Sequence, residues 1–261
     1  MSSPAALLLL WVSCALMMSV GWYWQRRHHN SGIVDVLWSA GVGAAAVLLA
    51  LTGHGALPPR VLLGLMGGAW GARLATHLAR RVRRDGEDGR YRQLRQRWGD
   101  HQGKLFLMFQ AQAGLVVLFA LPFLGAASNP SAHPVWLSLA VIIWAVAVLG
   151  EARADLQLAR FRADPAHRGH TCRQGLWRHS RHPNYLFEWV HWFSYIALAV
   201  GSRLLLVACL GPVLMYVFLR WLSGIPFTEA QALRTRADYR DYQRSTPMLF
   251  PRLRGHHEHL S

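Results

Sequence analysis

The chain has 261 residues, of which 52% are hydrophobic and 12 are tryptophan, with a mean hydropathy of +0.16; this is too apolar for an ordinary soluble domain. Its 28 Lys and Arg against 13 Asp and Glu give a formal charge of +15. The arginines lie between apolar runs, which argues against a nucleic-acid partner and fits loops facing anionic lipid or a phosphorylated ligand.

The N-terminus, Met1-Ser2-Ser3-Pro4, lacks the positive region of a signal peptide, and its first arginines follow the apolar run. The first span is therefore expected to stay in the mature protein. A bilayer core takes about 20 apolar residues in a helix, and seven segments suit it. Residues 5–24 carry no charge, 33–53 carry Asp35 near their start, 61–78 carry Arg73, and 105–125 carry none. Residues 135–150 form a short span that can continue helically through Glu151 and Asp155; 186–201 carry Glu188, and 204–219 end at Arg220. Cys14 and Cys209 lie in apolar runs and Cys172 in a loop, with no CxxC pair and no disulfide framework.

Arginine placement orients these spans. The link after the first span holds Arg26 and Arg27, the link after the third runs from Arg80 to Lys104, the link after the fifth from Arg153 to Arg181, and the tail from Arg234 to Arg254. The alternate links hold Arg60, no basic residue, and Arg203. The expectation is an all-α polytopic membrane protein of about seven transmembrane helices, N-terminus outside and C-terminus cytoplasmic. No internal repeat or linker interrupts it, so residues 1–254 read as a single membrane-embedded domain and 255–261 as a disordered tail.

Several polar groups stand where apolar ones are expected. Glu151 and Asp155 are one helical turn apart, and Asp155 and Arg162 two turns apart on the same face. They suit either ion pairs on a helix leaving the membrane or a carboxylate for ribose or amide groups beside an arginine for phosphate. The basic turn Gly175-Leu176-Trp177-Arg178-His179-Ser180-Arg181-His182 runs into Pro183, a residue suited to a first helical turn, and then into an apolar segment. There Asn184, Glu188, His191 or Trp192, and Tyr195 share one stripe, the pattern of an interhelical seam or of the wall of a site.

Residues 84–92 read by themselves as a charged, solvated loop. Asp35 and Arg73 suit each other as partners, or Asp35 suits a proton donor near a substrate. After the seventh span, Gly224-Ile225-Pro226 breaks the helix, Glu229 can complement a helix dipole, and 239–251 suggest a short interfacial element. His179 and His182, like His167 and His170, are three apart with no doubled histidine following, so no metal centre is expected. No GxGxxG follows a strand and no Walker loop is present, so a nucleotide would have to bind without a Rossmann fold.

Taken together, Glu87-Asp88-x-Arg90-Tyr91, Glu151-x-x-x-Asp155, GLWRHSRHPNYLFE, SGIPFTE and ADYRDYQRSTPMLFP resemble the bacterial uncharacterised integral-membrane family related to steroid 5-alpha reductases (3-oxo-5-alpha-steroid 4-dehydrogenase C-terminal-like). The resemblance runs from about Asp35 to Pro251, and the GLW…RHPNY…E block is its specific part. It implies a seven-helix reductase that takes NADPH from the cytoplasmic side and hydrogenates an activated C=C bond in a steroid-like or other lipid drawn from the bilayer. By motif, Asp155, Arg162, Asn184 and Glu188 match cofactor-holding positions. Arg178, Arg181, His182 and Tyr185 line the same turn, and Tyr91 and Glu229 are second contacts.

Steroid reductases carry an asparagine-type residue where Glu151 stands and a glutamate in the second span, where this chain offers Asp35. The resemblance thus names Asp35 and Tyr91 as the catalytic candidates. A second resemblance, in the Arg-His-Pro-x-Tyr turn and later glutamate, is to isoprenylcysteine carboxyl methyltransferases and phospholipid methyltransferases, which use S-adenosylmethionine. A third reading is a non-catalytic lipid-binding or assembly protein, which implies no nucleotide affinity. The arginine-heavy composition suggests a GC-rich bacterium and its inner membrane; nothing in the pattern sets an oligomeric state.

Overall fold

The computed structural model describes residues 2–222 and 224–251. Among the described residues it is all helix and turn, with no strand. The helices are α1 (Ser3–His28), α2 (Ile33–Thr52), α3 (Leu57–Asp85), α4 (Gly89–Trp98), α5 (Gln102–Ala120), α6 (Phe123–Ala127) and α7 (Pro134–Ala163). After two 3₁₀ turns, Pro165–His167 and Gly175–Arg178, come α8 (Pro183–His191), α9 (Phe193–Ala199), α10 (Leu205–Ala208) and α11 (Leu210–Val217). A π-helical turn, Phe218–Leu222, precedes α12 (Ile225–Thr235) and α13 (Tyr239–Ser245). The expected tail, 255–261, lies outside the described residues.

Among the described residues, five stretches are long and apolar enough to cross a membrane: Ser3–His28, Ile33–Thr52, Gln102–Ala120, Pro134–Ala163 and Leu205–Thr235. The protein is therefore membrane-embedded. The expected spans at 61–78 and 186–201 are not among them. The first lies within α3, a helix that also carries Arg73, Arg80, Arg81, Arg83 and Arg84. The second is broken at Trp192, whose backbone N–H bonds back to Trp189 O at 3.2 Å, leaving α8 and α9 at nine and seven residues. The expected span at 105–125 ends at Ala120, just before Pro122 and the short helix α6.

The described chain divides into two compact units. The first comprises residues up to Ile142 together with Phe193–Leu214. Its α2 and α3 meet through glycines. A Cβ on Gly71 would lie 2.6 Å from Gly43 Cα and 2.9 Å from Ser39 O, so the two backbones touch as they do at small-residue interfaces in membranes. Trp38 packs edge-on against Phe119 at 5.2 Å and Trp70 at 6.4 Å. Asn129 ties α6 to α9 by donating to Leu198 O and Val200 O at 2.8 and 2.9 Å. The outer face of α1 shows Leu8, Leu16 and Val20 at 60%, 65% and 70% exposure, a surface suited to hydrocarbon.

The same unit closes one end with a polar network. Arg95 donates to Glu87, Asp100, Gln25 and Ser31, and Glu87 also accepts the Ser31 N–H at 2.8 Å. Asp88 caps α4 by accepting Arg90 N–H at 2.9 Å. Burial would raise its carboxyl pKa, but Arg90 and Arg81 hold it below the ordinary value. The loop expected to be merely solvated is instead ion-paired to its own unit.

The second unit comprises Ile143–Trp192 and the described residues from Met215 onward. It holds α7 from Ile143 onward, the basic turn, α8, α12 and α13.

Candidate functional site

In the second unit the basic turn is docked on α7 by local chemistry. Gly175 has φ +57°, in the region that favours glycine, and a Cβ there would lie 2.5 Å from the Gln157 side chain. Gln157 accepts the Leu176 N–H at 2.9 Å, and the Trp177 indole donates to Ala154 O at 2.9 Å. Pro183 then starts α8. Asn184, in its first turn, donates its amide to Asp155 Oδ1 at 3.2 Å. Glu188 follows one turn later and is buried. The α7 carboxylate and the polar stripe of α8 therefore meet directly.

A brace holds the turn from the other side. Arg181 donates from Nε to Glu229 Oε1 at 2.7 Å, and from Nη1 to Gln243 O at 3.0 Å and Thr246 O at 2.7 Å. His182 Nε2 stands 3.0 Å from the same Glu229 oxygen, and Gln243 Nε2 donates to the other at 2.7 Å. Burial lowers the His182 pKa below the ordinary imidazole value even against the pull of Glu229. A neutral ring with its proton on Nε2 makes that contact a donated hydrogen bond. The ring lies parallel to Tyr185, 5.4 Å between centroids. Ser180 Oγ donates to Met248 O at 3.1 Å, Arg181 N–H to Pro247 O at 2.9 Å, and the Tyr242 hydroxyl to Trp177 O. The interfacial element expected at 239–251 is thus a strap across the basic turn.

Beside the turn is a pocket of about 240 Å³. Arg162, Arg168 and Arg236 line it with His167, His170 and Cys172. Burial pushes the Cys172 thiol pKa up, with Arg236 and Arg162 acting in the opposite sense. The sequence left Arg162 either to an ion pair on the α7 face or to a phosphate, with Asp155 on ribose or amide groups; Arg162 lines this pocket and Asp155 meets Asn184.

In the first unit, Asp35 is partnered by Arg90 at 2.9 Å and by the Tyr91 hydroxyl at 2.5 Å. Of the two readings open for Asp35, a pair with Arg73 or a proton donor, the first gives way to Arg90 and Tyr91 as its partners. Asp35 accepts both hydrogen bonds, as a carboxylate does. Burial, and then the charge of Asp35, push the Tyr91 phenol well above its ordinary value.

The residues expected at a site therefore fall into several groups. Asp155 and Asn184 meet, with Glu188 next along α8; Arg181, His182 and Glu229 meet each other, with Tyr185 stacked on His182. Arg162 lines the pocket, Arg178 is exposed on its 3₁₀ turn, and Asp35 and Tyr91 form a pair in the first unit. Glu229, which could have complemented a helix dipole, instead serves three side chains, Arg181, His182 and Gln243. Sequence reasoning missed Gln157, Gln243, Asp238, Arg168 and Arg236. Each is an ordinary polar residue in a polar stretch, so no spacing signal marked it.

These features define a polytopic helical membrane protein with a braced, arginine-rich turn at the head of a short polar-striped helix. The chain belongs to the family described as a protein of unknown function, DUF1295, which matches residues 21–246. No curated protein and no solved structure matches it.

Proposed function

We propose that this protein is a membrane-bound reductase that binds NADPH on its second unit and hydrogenates an activated C=C bond of a steroid-like or other hydrophobic lipid. The observation that carries the reading is the Asn184–Asp155 contact, which joins the polar stripe of α8 to α7 with Glu188 buried one turn away. In a membrane protein such groups are costly unless they serve a partner or a ligand. The donor set suits the group. Asp155 and Asn184 offer an acceptor and donors for ribose or carboxamide groups, and the arginine-lined pocket suits phosphate.

When bound, the cofactor would supply the hydride for the β-carbon of an enone. The protein's part is to hold and orient. Asp155, Asn184 and Glu188 are assigned to the cofactor, while Arg181, His182 and Glu229 keep the turn in shape, with Tyr185 and Arg178 at its edge. Asp35 and Tyr91, the acid candidates, lie in the first unit, where Asp35 and Arg90 hold the Tyr91 hydroxyl in place. Tyr91→Phe is then expected to leave NADPH affinity intact. In this reading α3 and the α8–α9 segment complete seven crossings, with the N-terminus outside and the cofactor site facing the cytoplasm of a bacterial inner membrane.

The test is a titration of the purified protein in detergent with NADPH, NADH and S-adenosylmethionine, followed by tryptophan fluorescence. NADPH is expected to bind saturably. Glu188→Gln is expected to weaken it by roughly tenfold to a hundredfold, the range for one charge-assisted hydrogen bond, with an unchanged unfolding temperature. Equal affinity in the variant removes Glu188 from the site. Binding of S-adenosylmethionine without NADPH moves the protein to the methyltransferases, and silence from all three ligands leaves a non-catalytic role.

A further inference from the structure

At Gly224 the chain leaves the line of its last apolar stretch. Leu205–Thr235 is apolar enough to cross a membrane, yet Gly224, with φ −91° and ψ −84°, is not helical, and Pro226 stands in the first turn of α12. A Cβ on Gly224 would lie 3.1 Å from both Leu219 O and Tyr185 Cε2, so the junction is closely packed. With 11 residues, α12 is roughly 16 Å long. That is about half of a hydrocarbon core of about 30 Å.

The surface of α12 divides into three strips. At helical spacing Ile225, Glu229 and Ala232 share the inner face; Ile225 and Ala232 are buried, and Glu229 serves the brace. Pro226, Phe227, Ala230 and Leu233 form an exposed apolar strip on one flank, with Phe227 and Leu233 at 39% and 41% exposure. Thr228, Gln231 and Thr235 form an exposed polar strip on the other flank. Arg234, also exposed, borders the apolar strip and carries the charge that anionic head groups attract. A helix with one flank apolar and the other polar suits the boundary between head groups and acyl chains, and neither bulk water nor the bilayer centre.

The residues before the junction mark the same boundary. Trp221 is 56% exposed, with the Arg220 guanidinium 5.7 Å from its ring and Tyr216 edge-on at 5.7 Å. Tyr216 meets Trp189 at 6.2 Å, and Trp189 meets Phe250 of the strap at 5.5 Å. Trp and Tyr gather at membrane–water interfaces, where the ring and its polar edge are both satisfied. This aromatic row lies where α12 begins.

We propose that α12 is an interfacial helix lying in the membrane surface, with the Phe227–Ala230–Leu233 strip set among the lipids at the head-group boundary. A lipid surface fits this strip better than a second protein, because the strip follows directly on a membrane-length apolar stretch and an aromatic row. The helix that meets the lipid is also the helix that carries Glu229 to Arg181, His182 and Gln243. The assignment does not depend on which ligand the second unit takes.

The test places a nitroxide on Phe227→Cys, Leu233→Cys, Gln231→Cys and Thr235→Cys, one at a time, in the full-length protein in nanodiscs of phosphatidylcholine and phosphatidylglycerol. The unsubstituted chain, in which Cys14 and Cys172 are buried, gives the background labelling. Electron paramagnetic resonance then reads collisions with oxygen, which concentrates in hydrocarbon, and with a water-soluble nickel chelate. Labels at Phe227 and Leu233 are expected to favour oxygen over the chelate several-fold more than labels at Gln231 and Thr235. Labels open to the chelate at all four positions put α12 in water and overturn the proposal. Labels that favour oxygen at all four mean that the helix continues the span, which overturns it equally. Labels at Phe227 and Leu233 shielded from both agents, or broadened by a neighbouring label, mean that a protein covers the strip instead of lipid. Each strip is read at two positions, so a variant that loses the native unfolding temperature leaves its neighbour to report.

Discussion

Gly71→Leu is expected to abolish the folded protein. The two helices α2 and α3 approach so closely at Gly43 and Gly71 that a Cβ on Gly71 would meet the Gly43 Cα at 2.6 Å and the Ser39 carbonyl oxygen at 2.9 Å. Both neighbours are backbone, so no side-chain rotation relieves the clash and the helices must separate. Overpacking of a well-packed core costs about 1–3 kcal/mol and occasionally more; with an unyielding backbone on the far side, the upper end of that range or beyond applies. Gly114 on α5 is the control, since a Cβ there meets nothing within 4 Å. Gly114→Leu is expected to be neutral or to stabilise slightly, by up to about 1 kcal/mol from helix propensity. Size-exclusion chromatography of detergent extracts distinguishes them. A monodisperse Gly71→Leu peak as large as the native one would mean that α2 and α3 are not packed through these glycines.

Glu229→Ala is expected to be the most damaging single change in the second unit. It strips the partner from Arg181 Nε and from His182 Nε2, which stand 2.7 and 3.0 Å from the same carboxylate oxygen, and from the Gln243 amide. Arg181 and Glu229 side chains are only 12% and 15% exposed, so water replaces the lost partner poorly. Removing one member of a buried ion pair costs on the order of 3 kcal/mol or more. For a chain of this size that corresponds to roughly 6–12 °C in the unfolding temperature. Replacing both members together, Arg181→Met/Glu229→Met, is expected to cost less than Glu229→Ala alone, because no uncompensated charge remains. Thermal unfolding in detergent tests both statements. A drop below about 2 °C for Glu229→Ala would mean that the brace contributes little, and a double variant worse than the single would mean that the strap depends on the charges themselves.

The brace also shifts the part played by the basic turn. Arg181 stands in a sequence rich in arginine beside histidines, where phosphate binding is the natural expectation. Its Nε and Nη1 donors are spent on Glu229 and on two backbone carbonyls of the strap. The turn is therefore shaped by Arg181, while Arg162, Arg168 and Arg236 line the neighbouring pocket.

Local pattern by itself determined the features that depend on local chemistry. Long uncharged runs can satisfy their backbone in a bilayer only as helices, which made the spans at α1, α2, α5 and α7 legible. A proline after the basic turn marked the start of α8, and period-3.6 spacing placed Asn184 and Glu188 on one face. What the pattern could not supply was pairing. With 28 basic residues and 13 acidic ones, each carboxylate has many possible partners, and spacing along the chain does not rank partners that are distant in sequence. Only the tertiary structure joined Asp35 to Arg90 and Tyr91 rather than to Arg73, and Glu229 to Arg181 and His182 across 48 and 47 residues. It also decided the break at Trp192 and the meeting of Arg236 with Arg162 and Arg168 around one pocket. Helix formation depends on a residue's near neighbours, whereas pairing depends on which surfaces the packed helices bring together.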